Sequence, residues 1–223
     1  MLSKIYKTVL SIGLLTSLAT TSSVFAESSP KEVINKPLPA NVPINAKKTD
    51  LKKITEIVEK YDIGVPFSKE DSDYIKANSL KASASSGQGI NIQALQSKNL
   101  FFRGVNWNNA ASGELNGYLY NTINLVNHIT KSNFYVDEIY DKYQPKITAS
   151  FSVVGYGAIG SDGIIGKVVD QNFPVECANA NFCMHNKDNY WSGYILNYSI
   201  LPKGSINYGY GEIDISPGEM YEF

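Results

Sequence analysis

The scarcest reactive side chains in this 223-residue chain are two cysteines and two histidines. Cys177 and Cys183 close the heptapeptide CANANFC, and His185 follows shortly after. An even cysteine count at a loop-sized spacing predicts one intrachain disulfide. Read as chemistry, the same residues offer a thiolate paired with His185, or three ligands of a metal site, although zinc ligands are usually paired roughly two to four residues apart. His128 and His185 are the only histidines able to act as a general base near neutral pH, and neither stands in a G-x-S-x-G or H-E-x-x-H setting. Gly155-x-Gly157-x-x-Gly160 (GYGAIG) spells a dinucleotide fingerprint. The segment behind it, IIGKVVD, reads as a second strand, where a pyrophosphate needs a helix N-terminus. A glycine-rich hairpin is therefore expected there, and no cofactor. Glu212 and Asp214 share one face of a final strand behind Tyr208 and Tyr210, the kind of acid pair that glycoside hydrolysis uses, and equally an ordinary solvent face. Asp162, Asp170 and Asp188 do not make the dense oxygen-ligand loop of a calcium site, so no metal is expected.

Aromatic rings beside amides are the other chemistry on offer. Trp107-Asn108-Asn109, Asn189-Tyr190-Trp191 and the tyrosines at 194, 198, 208 and 210 combine flat contact area with hydrogen-bonding groups, which suits glycans, peptides or lipid headgroups. Trp107, Trp191, Tyr194, Tyr198, Tyr208 and Tyr210 are the candidate binding residues. The same rings also suit the core between two sheets.

The N-terminus reads as a secretory signal. Lys4 and Lys7 precede an apolar run from Val9 to Ala19, and Val24-Phe25-Ala26 forms a small-residue cleavage site before Glu27. That run falls short of the roughly 20 residues of a spanning helix, so export and cleavage are expected rather than a transmembrane anchor. Without Lys4 and Lys7 the net charge is about −3. With a single arginine, Arg103, and no basic stripe, nucleic-acid binding is not expected. The abundance of lysine over arginine, with 15 tyrosines, resembles in composition the exported proteins of low-GC Gram-positive bacteria.

A composition step near Leu80 divides the mature chain. Residues 27–81 are rich in charge, 82–89 (ASASSGQG) have a linker's small polar makeup, and 90–223 hold most of the aromatics. In the first part, Leu51, Ile54, Ile57, Val58 and Tyr61 recur at helical spacing behind an Asp50 N-cap. Ser68 with Asp71 starts a second short helix through Tyr74 and Ile75. Two such helices bury little alone, so they dock on the larger domain, form a prosegment or act as a tether. Beyond the linker, Ile147, Ala149, Phe151 and Val153 alternate with Thr148, Ser150 and Ser152 as a half-buried strand. Hairpins are expected at 154–159/164–169 and at 191–201/205–215, the latter turning at Pro202-Lys203-Gly204. Residues 115–143 fit helix or strand. Their asparagines and threonines favour a strand over 118–126, with a short helix from Val136 to Tyr143.

The expected fold is mainly β, an antiparallel sandwich or barrel-like domain preceded by a short helical N-terminal segment. The expected function is that of a secreted protein without catalytic machinery that binds a cell-surface glycan, peptide or lipid, with a toxin or antimicrobial protein as a special case. The alternative is an extracellular hydrolase working through a carboxylate pair or Cys/His.

Overall fold

A computed structural model describes residues 39–82, 96–108, 112–139, 145–159 and 163–223. The signal-like segment, most of the 82–89 stretch, Tyr143, Gly160 and Asp162 lie outside them. The elements in chain order are β1 (Lys47–Asp50), α1 (Leu51–Val58), α2 (Lys69–Asn78), β2 (Leu80–Lys81), β3 (Gln96–Trp107), β4 (Ser112–Ile123), β5 (Asn127–Glu138), β6 (Lys146–Ala158), β7 (Ile165–Cys177), β8 (Phe182–Ser192), β9 (Asn197–Asn207), β10 (Glu212–Ile215) and β11 (Glu219–Glu222).

Two antiparallel sheets pack face to face, as the alternating pattern predicts. One has the order β1-β11-β3-β4-β5-β8; the other runs β10-β9-β6-β7, with β2 also pairing β9. Leu100, Phe102, Leu115, Leu119, Phe134 and Val136 of the first sheet meet Ile147, Phe151, Val153, Ile200 and Ile206 of the second in one apolar core. Phe134 stands at its centre, edge-on to Phe102 at 5.4 Å and to Phe151 at 6.3 Å. Opposite Phe134, Gly117 brings the backbones of β4 and β5 close together: its φ is +150°, and a Cβ there would lie 2.4 Å from the Phe134 Cα.

The N-terminal helices dock on the sandwich. Lys53 N–H donates to the Asp50 carboxylate at 3.2 Å and Asp71 N–H donates to the Ser68 hydroxyl at 3.1 Å, so both expected caps form. Ile54, Ile57 and Val58 of α1, with Phe67 and Ile75, then cover Val154, Tyr156 and Ile165 on the outer side of the five-stranded sheet, making a second buried cluster. The chain between the helices runs along the β7 edge, where Gly64 N–H donates to the Lys167 carbonyl (2.9 Å) and Phe67 N–H to that of Ile165 (3.0 Å). β1 and β2 meanwhile enlist in different sheets.

Three expectations are corrected. Val136 to Glu138 end β5 rather than begin a helix, because β5 lies between β4 and β8 and both its flanks are paired. β9 runs straight through Pro202-Lys203-Gly204 and turns only at 208–211. Pro202 is tolerated in the strand because β2 pairs only at 197–198 and β10 only from Gly204, leaving 199–203 without a strand neighbour on that flank. Finally, 191–201 is two strands, with Trp191 and Ser192 closing β8 in one sheet and Asn197 opening β9 in the other.

Candidate functional site

The cysteines form a disulfide between the end of β7 and the start of β8, joining the two sheets. No thiol is left among the described residues for a thiolate mechanism. The crosslink closes a short loop through Asn179, which sits at φ 52°. Breaking it with Cys177→Ser/Cys183→Ser should cost about 2–3 kcal/mol on the loop-closure model, read as a lower denaturant midpoint. An unchanged midpoint would show that packing alone holds β7 to β8.

His185 meets Ser132 at 2.7 Å through Nδ1, the separation of a nucleophile and its base. Its Nε2 lies 2.9 Å from the Phe173 carbonyl. A carbonyl only accepts, so Nε2 carries the proton, and the Ser132 hydroxyl donates to Nδ1. That hydroxyl also accepts from Lys187 N–H (3.1 Å) and Asn189 Nδ2 (3.3 Å). Serine and histidine are both buried, at 3% and 1% exposure. The pair therefore bolts β5, β7 and β8 together, out of reach of a substrate. His128, equally buried, donates from Nε2 to the Gly193 carbonyl (2.9 Å) and packs on Trp191 at 4.1 Å.

Burial holds both imidazoles below the usual histidine range, with Lys187 adding to the effect at His185 and the backbone bonds opposing it. The folded state thus binds fewer protons than the unfolded chain once pH drops below about 6.5. Stability from these groups is complete above that pH and drains away as pH falls towards the folded-state values. A urea midpoint measured from pH 7.5 down to 5.5 should decline, and His185→Gln should flatten the decline. A level profile would mean that the imidazoles charge without leaving their places.

The remaining acid candidates are surface pairs. Asp214 meets Lys203 at 3.1 Å, and Glu212 lies beside it on the exposed face of β10. Asp170 pairs with Lys167 (3.0 Å) and Asp188 with Lys131 (3.6 Å). Among the described residues, no group of three or more His, Cys, Asp or Glu could hold a metal ion. Gly155 and Gly157 lie within β6, and β7 follows in antiparallel pairing, so the GYGAIG stretch meets a strand and no helix N-terminus.

The six aromatic candidates divide between the two ends of the sandwich. Trp107, Tyr208 and Tyr210 share the disulfide end. There, Tyr208 donates to Glu138 at 3.2 Å and stacks on Tyr210 at 5.9 Å, while Trp107 is 46% exposed. At the other end, Tyr198 is wholly buried, and Trp191 is buried with its Nε1 donating to Thr130 (3.0 Å). Tyr194 stands out in solvent on the β8–β9 connection. Trp191 and Tyr198, 6.1 Å apart, are therefore core side chains. Trp191 still lines a cleft of about 450 Å³, together with Asn124, Asn127, His128, Ile129, Tyr190 and Ser192.

Two loops meet at this end of the sandwich. The β4–β5 turn carries Leu125 and Val126, the β8–β9 connection carries Tyr194 and Leu196, and Gly193 N–H donates to the Val126 carbonyl (2.9 Å), binding one loop to the other. No family model, curated protein or solved structure matches this chain. The cleft must therefore be read from its own chemistry. Its walls offer aromatic faces, primary amides, a hydroxyl and an uncharged imidazole, a set that makes contact area and hydrogen bonds. The sequence does carry a signal for this end: no charged side chain occurs between Glu114 and Lys131 or between Asp188 and Lys203. Only the register of the folded strands brings those two stretches together.

Proposed function

We propose that this protein is an exported, non-catalytic binder that engages a cell-surface or envelope component through the uncharged end of the sandwich. The observation that carries this reading is the pair of bonded loop tips with exposed Leu125, Val126, Tyr194 and Leu196, at the same end of the sandwich as an amide- and aromatic-walled cleft. Export is read from the N-terminal sequence, and the disulfide is compatible with an extracellular setting. A toxin or antimicrobial protein is a special case of the same reading, in which binding precedes damage.

The test is retention on cells. Protein recovered from the culture medium should sediment with washed cells or their envelopes, and Leu125→Asp with Tyr194→Asp should abolish this while leaving the thermal melt unchanged. Retention that survives both substitutions would move the binding face elsewhere on the molecule.

A further inference from the structure

The loop tips at this end of the sandwich carry side chains that local folding does not require. Leu125 and Val126, at 53% and 45% exposure, occupy a hairpin tip where Gly, Asn, Asp, Ser or Pro would satisfy the turn. Tyr194 (65%) and Leu196 (40%) project from the neighbouring loop, and Tyr190 (69%) flanks them on β8. These five residues belong to two stretches without a charge, in a chain that is 18% charged. Lys81, paired in register with Asn197, borders them from β2.

An ionic polymer has little to hold on such a surface. A protein partner would ordinarily meet a polar rim around an apolar centre, whereas here the apolar residues are themselves the protruding tips. A bilayer fits better: aliphatic side chains gain by leaving water for the acyl boundary, and tyrosine rings collect at headgroup level. The tips are irregular backbone, which is not tolerated in contact with lipid inside the hydrocarbon layer, so insertion is shallow. We infer that this end of the protein seats shallowly on a lipid bilayer, with Leu125 and Val126 entering the acyl boundary and the tyrosines resting among the headgroups. This rests on the surface-binding reading above and names its partner. With so few charges taking part, the association does not depend on anionic lipid or on ionic strength.

The experiment is co-sedimentation of the full chain with phosphatidylcholine vesicles, in low and in high salt, alongside the retention on cells. The expected result is binding that survives high salt, and falls by about tenfold or more in Leu125→Asp and Tyr194→Asp, since each loses one buried apolar side chain. Phe182→Ser and Met184→Ser, exposed apolar residues elsewhere on β8, should bind as the parent does. No vesicle binding, binding removed by salt, or binding indifferent to the tip substitutions overturns the lipid assignment. If cells still retain the protein, and the tip substitutions abolish that retention, the surface-binding reading stands and the partner is a glycan or a protein. If cells do not retain it either, both fall.

Discussion

Gly117→Ala should lower the melting temperature by about 10 °C or more, the effect of roughly 3–5 kcal/mol in a domain of this size. Two costs add at this position. The backbone φ of +150° is one that a residue with a Cβ adopts only under strain. The new methyl would also point at the Phe134 Cα and Cβ, each 2.4 Å away, and at the Asn133 carbonyl oxygen at 2.5 Å. Those atoms are paired backbone of β5 or fixed directly to it, so none can swing aside as the end of a flexible side chain does. Phe134 itself is held between Phe102, Phe151 and His185, so displacing it disturbs both sheets. Thermal unfolding followed by circular dichroism measures the effect; a shift of only a degree or two would mean that β4 and β5 part easily at this point.

Ile57→Asp should detach the helical arm. Ile57 is fully buried against the outer side of the five-stranded sheet, and replacing it both loses apolar burial and places a carboxylate where nothing solvates it, a penalty above about 4 kcal/mol. The chain can escape part of this by releasing α1 and α2 into water, so the cost appears as local opening. Release bares Val154, Tyr156 and Ile165. Limited proteolysis should therefore cut the variant within residues 51–78 while the parent resists there, and a chain begun at residue 83 should aggregate. A soluble, folded protein starting at residue 83 would instead make the arm a removable prosegment.

How far the sequence could be read depended on whether neighbours in the chain are neighbours in space. The α1 stripe, its Asp50 cap and the alternation of 147–153 are local patterns, and each formed where expected. The disulfide was legible because two cysteines admit one pairing. The turn at Pro202 was misread because a proline's cost in a strand depends on a flank that β2 and β10 leave open, which only the sheet order reveals. For the same reason the burial of Trp191 and Tyr198 was not legible: an aromatic beside asparagine reads alike on either face of a sheet, and the crossing at 193–196 sends both rings inward. The cleft was out of reach, since Asn124 and Ser192 meet only through the pairing of β5 with β8.

The pairing of β1 with β11 has a consequence in time. The first strand of the described fold finds its partner in the last, and β11 is also what covers the free edge of β3 at Leu100 to Phe102. A chain still being made lacks residues 219–222, so the larger sheet stays open along that flank. Completion of the larger sheet waits for residues 219–222, and until they arrive neither β1 nor the outer flank of β3 has its partner.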